Sequence, residues 1–193
     1  ELDVEDEYYI DDRTGVLYVL NPTEDYAIML TGLMMTLNDV DHLTFKRLGF
    51  SYGTDDVLSA SNSDYIEFIE CRFSHMQDYG ILLYGDNNKV YGCEFIDIGA
   101  RAIEMGSGDR ATLTLGNSVI ENCLFDGFGT VSKSGHSAVN VRGCGIRIAH
   151  NEMCNAPHSA IVYSEYIWAS NYITIEYNYI HDVVTQASDA GAI

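Results

Sequence analysis

The sequence predicts an all-β solenoid of stacked parallel strands, and three observations predict it. Six segments superpose at spacings of 22 to 30 residues: Phe45–Phe50, Phe68–Phe73, Val90–Phe95, Ile120–Phe125, Ile148–Met153 and Ile175–Ile180. Each carries a large apolar residue, then Leu, Cys or Asn three positions on, then a second large apolar residue two further on. Self-similarity at this period marks a repeat architecture, and apolar alternation this short makes the unit a strand-built coil. The composition agrees, since 17 Gly, 14 Tyr and 7 Phe with only 2 Pro in 193 residues favour strands over helices. In such a coil equivalent positions stack at roughly 4.8 Å, so the repeat also dictates which side chains can meet.

Residues 1–41 do not carry the repeat cleanly and read as an N-terminal hairpin and entry region, with the solenoid running over 42–193. Tyr8 to Val19 has the pattern of a β-hairpin turning through Asp12–Arg13–Thr14–Gly15. Ala27 to Leu30 and Met34 to Leu37 then read as short strands leading into the coil. From residue 42 onward, two apolar columns are expected to form a continuous core. They are Phe45/Phe68/Val90/Ile120/Ile148/Ile175 and Phe50/Phe73/Phe95/Phe125/Met153/Ile180. Between them lie Leu48/Cys71/Cys93/Cys123/Asn151/Asn178. Parallel side chains in register suit disulfide torsions poorly, so the three cysteines are expected as a buried free column, and Asn151 and Asn178 as a short asparagine ladder.

A further strand follows each segment after a bend, starting at Gly80–Ile81, Ala102–Ile103, Ala138–Val139, Ala160–Ile161 and Ala192–Ile193. The coils holding Gly106–Gly116 and Phe128–Ser137 are longer, so loops bulge there, and function concentrates on such loops. The chain stops at Ile193 just as a strand begins, and a capping portion is expected beyond it.

A net charge of −19 argues against nucleic acid and anionic membrane surfaces as partners. The ten Lys and Arg form no run, and no stretch of 18 apolar residues offers a membrane span. End-to-end association at an exposed C-terminal coil is compatible with the architecture.

Chemistry is expected at the bend entering the further strand. His136 and His158 each lie three residues before the anchors Val139 and Ile161, and Asp189 lies four before Ile193. Strand spacing puts His158 and Asp189 about 5 Å apart by backbone and His136 about 10 Å from Asp189. Two imidazoles and a carboxylate there form an acid/base cluster, although Asp and His also serve at bends by satisfying backbone donors. Glycoside hydrolysis needs paired carboxylates. Glu104 lies three coils from Asp189, roughly 14 Å, too far for a direct pair, whereas Glu165 is one coil away. Tyr163, Tyr166, Trp168 and Tyr172 read as sugar-stacking aromatics or as ordinary outward strand residues. No cofactor is required. Asp55–Asp56 and Asp86–Asn87–Asn88 offer hard oxygens to Ca²⁺, or simply make turns.

The run Gly143–Cys144–Gly145–Ile146–Arg147–Ile148–Ala149–His150–Asn151 leads into Asn155–Ala156–Pro157–His158–Ser159–Ala160–Ile161. With Ile175–Asp182, Ser188–Ile193 and the Gly108–Asp109–Arg110 loop, it resembles the right-handed parallel β-helix proteins of the pectate-lyase-like superfamily. Within that group it is most similar to bacterial glycoside hydrolases of the fucosidase/xylanase type. The resemblance covers about residues 40–193. It implies a right-handed parallel β-helix, a secreted or periplasmic parent protein and activity on a polysaccharide or oligosaccharide. It also implies Asp189 as a catalytic carboxylate with His158 lining the cleft; beside them the candidate site takes in His136 and Glu165, with Tyr163, Trp168 and Arg101 as expected substrate contacts. The segment Ser164–Asn171 replaces a shorter turn in that group, which alters the neighbouring subsite. A polysaccharide lyase or epimerase and a non-catalytic carbohydrate-binding β-helix are the alternatives.

Overall fold

The computed structural model describes residues 3–22, 32–163, 170–188 and 190–193. The expected strand at Ala27–Leu30 lies outside them. The hairpin forms as predicted, from β1 (Tyr8–Asp11) and β2 (Val16–Val19), with the Gly15 N–H donating to the Asp11 carbonyl at 2.7 Å. Gly15 sits at φ +69°, a left-handed value that a residue without Cβ adopts at no steric cost.

The rest is a parallel β-helix with three six-stranded sheets, right-handed as parallel crossovers are. The third sheet begins with β3 (Met35–Asn38), close to the strand expected at Met34–Leu37. The first two coils follow as β4 (Thr44–Lys46), β5 (Gly49–Ser51), β6 (Leu58–Ser61), β7 (Glu67–Ile69), β8 (Arg72–Met76) and β9 (Ile81–Tyr84). Next come β10 (Lys89–Tyr91), β11 (Glu94–Ile98), β12 (Ile103–Ser107), β13 (Ser118–Glu121), β14 (Leu124–Phe128) and β15 (Val139–Gly143). The described coils end with β16 (Ile146–Ala149), β17 (Glu152–Cys154), β18 (Ile161–Val162), β19 (Thr174–Glu176) and β20 (Tyr179–Ile180). Every third strand joins the same sheet, so the orders are β4-β7-β10-β13-β16-β19, β5-β8-β11-β14-β17-β20 and β3-β6-β9-β12-β15-β18. No helix among the described residues is long and apolar enough to cross a membrane.

Both predicted apolar columns are in register through all six coils. Along the second, the rings of Phe50, Phe73, Phe95 and Phe125 stack at centroid spacings of 5.0, 4.9 and 4.9 Å, all inclined by 7°. That spacing is the strand spacing itself, so one register condition closes both the backbone ladder and the ring stack.

The bend between the first and second sheets explains the Cys/Asn column. Its preceding residue is left-handed in every coil: Arg47, Glu70, Gly92, Asn122, His150 and Tyr177 have φ between 53 and 62°. The sharp turn leaves the next N–H pointing along the axis, and the side chain one coil on accepts it. Cys71 N–H donates to Cys93 Sγ (3.4 Å), Cys123 N–H to Asn151 Oδ1 (2.9 Å) and Asn151 N–H to Asn178 Oδ1 (2.9 Å). Asn151 Nδ2 donates back to the Ile120 carbonyl at 3.1 Å. The position therefore wants a small side chain able to accept and donate, which Cys and Asn both are. Cys71, Cys93 and Cys123 are free and buried and the asparagine ladder forms, as expected; Cys144 and Cys154 are free and buried as well.

Candidate functional site

The third sheet alternates Ile103 and Met105 inward with Glu104 and Gly106 outward, so its outer face is set by residues that the core pattern leaves over. Register pairs Glu104 with Leu82 and Asn140, and Gly106 with Tyr84 and Arg142. Four polar groups from three coils thereby converge. Tyr84 Oη donates to Glu104 Oε1 at 2.5 Å, and Arg142 pairs with the same oxygen at 3.2 Å. Arg101, which opens the same coil as Glu104, holds the other oxygen in an ion pair in which both side chains are largely buried, 8 and 14% exposed. Arg142 also lies over the Tyr84 ring, 4.7 Å from its centre. Gly106 makes the stack possible, because a Cβ there would lie 2.8 Å from Tyr84 Cδ1.

Beside this clasp opens a groove of about 900 Å³ lined by Gly106, Gly108, Asp109, Arg110 and Arg142. Its wall is the longer loop predicted at Gly106–Gly116, closed on itself by Asp109 and Thr114. Asp86 holds the root of that loop, accepting the Gly108 N–H at 2.6 Å and the Ser107 hydroxyl at 3.2 Å. Asn88, next to it, accepts the Ile66 N–H and donates to the Ser63 carbonyl. The oxygens considered for Ca²⁺ at Asp86 and Asn88 thus bond to the protein's own backbone.

At the bend entering the third sheet, the register that matches Leu58, Ile81, Ile103, Val139 and Ile161 also aligns the residues three before each. They are Asp55, Asp78, Ala100, His136 and His158, so the two predicted histidines fall in one column. Ala100 has no side chain beyond Cβ, and His136 leans past it to bring its ring 5.7 Å from that of Tyr79. Tyr79 is in turn covered by the Arg101 guanidinium at 5.6 Å. His158 is half-buried; its carbonyl accepts the Val184 N–H at 3.1 Å, and its buried Nδ1 makes no hydrogen bond among the described residues. Arg101, read from sequence as a substrate contact, is a buried partner of Glu104 that also reaches the Gly135 carbonyl at 3.4 Å. Tyr163 is exposed just after β18. Asp189, Glu165, Tyr166 and Trp168 lie outside the described residues.

At the other end of the column, Asp55, Asp56 and Asp78 bring carboxylate oxygens within 4.8 Å of one another. Partial burial raises Asp56 above the usual carboxylate range, with the charges of Asp55, Asp78 and Glu104 adding to it. Burial raises Tyr84 as well, followed by its bond to Glu104, so its hydroxyl stays a donor. An acid whose folded value lies above its unfolded one weakens the fold once pH rises past both. Asp56→Asn is therefore expected to raise the urea midpoint at pH 7. The gain should vanish below about pH 4, where the carboxyl is protonated in both states. An equal gain at pH 7 and about pH 3 would contradict the raised value.

Glu104, Tyr84, Arg142 and Tyr79 were not legible as a site in the sequence. The available signal was the alternation around Ile103, which marks Glu104 as outward, but three of the site's four contacts join residues 20, 38 and 58 apart. A family model described as a right handed beta helix region matches residues 31–144 and, in a second overlapping placement, residues 56–191. No curated protein and no solved structure matches the chain.

Proposed function

The chain belongs to the right handed beta helix region family, and from that premise we propose that it is a carbohydrate-active protein hydrolysing glycosidic bonds. A polysaccharide or oligosaccharide would lie along the outer face of the third sheet, and the parent protein would work outside the cytoplasm, secreted or periplasmic. The observation that carries the reading is a pair of carboxyl groups held in unlike surroundings. Glu104 is held by two guanidinium groups and a tyrosine hydroxyl. Asp56 is held towards its protonated form by burial and by three like charges. A carboxylate fixed by cationic partners beside a second carboxyl whose proton affinity is raised by burial fits the paired carboxyl groups that glycoside hydrolysis uses. Tyr79 and His136 offer a ring surface between them. Asp189 remains a further carboxylate, with His158 and His136 to orient it and Glu165 as its neighbour, and with Tyr163, Trp168 and Arg101 around the sugar.

A non-catalytic carbohydrate-binding role is the second reading, favoured by the fact that both Glu104 oxygens already have partners within the chain. The test is reducing-end release from a panel of neutral and acidic glycans, with Glu104→Gln and Asp189→Asn compared with the parent. Turnover reduced about 10²-fold in either variant, with glycan binding kept, is the expected result. Unchanged turnover in both would overturn the assignment. Binding with no turnover by the parent selects the second reading, and an unsaturated product selects a lyase.

A further inference from the structure

The second sheet carries an unrelated cluster on its outer face, near the end of the described coils. Register pairs Asp126 with Cys154. Continuing the pairing of Met153 with Ile180 by one residue sets Cys154 against His181. Glu152, two residues before Cys154, points to the same side. One ligand atom each from Glu152, Cys154 and His181 lies within 4.8 Å of the other two. Asp126 Oδ1 is 3.8 Å from Cys154 Sγ and is held there by Asn155 Nδ2 at 2.7 Å.

We infer that this cluster binds a borderline divalent transition ion, Zn²⁺ by its chemistry, through Cys154 Sγ, His181 Nε2 and a Glu152 carboxylate oxygen. Three features of the arrangement lead there. A thiolate, an imidazole and a carboxylate together match Zn²⁺, whereas Ca²⁺ and Mg²⁺ take oxygen alone. His181 is already oriented for coordination: Asp182 Oδ2 holds Nδ1 at 2.8 Å, leaving Nε2 aimed at Glu152 Oε1, 3.3 Å away. A carboxylate on the far nitrogen is how metal-binding histidines are kept in the correct tautomer. Finally, the carboxylates of Asp126, Glu152 and Asp182 gather around the thiol, and among the described residues no lysine or arginine pairs with any of them. A divalent cation is the group that would neutralise them.

Binding forms a Zn–S bond with the sulfur lone pair while the Cys154 thiol proton leaves to solvent, and no electron is transferred. Asp126 or a water completes the fourth position of a tetrahedral site. The ion would clamp β17 to the turn after β20, stiffening the last described coils.

The test uses the whole chain stripped with a chelator, titrated with Zn²⁺ against a chromophoric competitor and, separately, with Co²⁺ as a coloured substitute. One equivalent of Zn²⁺ is expected, together with a thiolate-to-Co²⁺ charge-transfer band. Cys154→Ser should abolish that band. His181→Gln and Asp182→Asn should each weaken Zn²⁺ at least tenfold. His150→Gln, on the neighbouring bend and stacked on Tyr177, should leave it unchanged. His181 is at the surface, so His181→Gln decides the matter even if Cys154→Ser does not fold. Absence of stoichiometric binding, or affinity indifferent to His181→Gln, would overturn the site.

Discussion

Replacing Phe95 with alanine is expected to lower the unfolding free energy by about 3–5 kcal/mol. The ring is fully buried and stacked on both faces, against Phe73 and Phe125, each 4.9 Å away. In a globular core, neighbours can shift towards a deletion and recover part of the lost contact. Here each neighbour is tied to its own coil by parallel ladders on either side of β11, so the void cannot close without breaking register. The cost should therefore sit in the upper half of the range for Phe→Ala. Phe50→Ala, at the open end of the same stack and only half-buried, should cost about half as much. Urea unfolding followed by circular dichroism measures both. Equal costs would mean that neither the depth of burial nor stacking on both faces sets the penalty.

Glu104→Ala is expected to cost a similar amount, about 3–5 kcal/mol, by a different route. It removes the carboxylate that the Arg101 guanidinium, 8% exposed, pairs with, and leaves the Tyr84 hydroxyl without that acceptor. Arg142, 43% exposed, can turn to water and adds little. The double variant Glu104→Ala with Arg101→Met removes the buried guanidinium together with that carboxylate, so it should recover most of the loss. If the double variant is as unstable as Glu104→Ala alone, the penalty does not come from the buried Arg101 charge. This pair of measurements also separates structural loss from the loss of turnover proposed for Glu104→Gln.

Much of the architecture was readable because a solenoid repeats its own evidence. Phe68, Phe95 and Phe125 need not be recognised one by one; the shared spacing identifies their columns, and the register followed without slippage through all six coils. The cysteine and asparagine column was equally legible, since stacked parallel side chains cannot easily bridge as disulfides and must satisfy the bend in another way. The left-handed bends were less legible. Arg47, Glu70, His150 and Tyr177 adopt φ values that their types rarely choose, and only Gly92 and Asn122 signal the turn locally. Stacking between coils holds the others there, as in the Arg47–Glu70 ion pair at 2.6 Å and the His150–Tyr177 rings at 5.0 Å.

The column of His136 and His158 was found from spacing, but the Glu104 clasp beside it was not. Arg101, expected from the sequence as a substrate contact, has a carboxylate partner within the chain. Its partner is three residues away, and that carboxylate's other contacts are 20 and 38 residues away.

By itself, then, the sequence determined the solenoid, its core columns and the bends at which polar groups collect, because burial with a fixed period leaves a repeating mark on the chain. Only the tertiary structure decided which outward side chains share charge. It set Glu104 between Arg101, Tyr84 and Arg142, raised Asp56 beside it, and drew Glu152, Cys154 and His181 together on another face. The reason is physical: outward positions obey no periodic burial constraint, so their partners are chosen by the stacking of coils distant in sequence, at separations that no local pattern encodes.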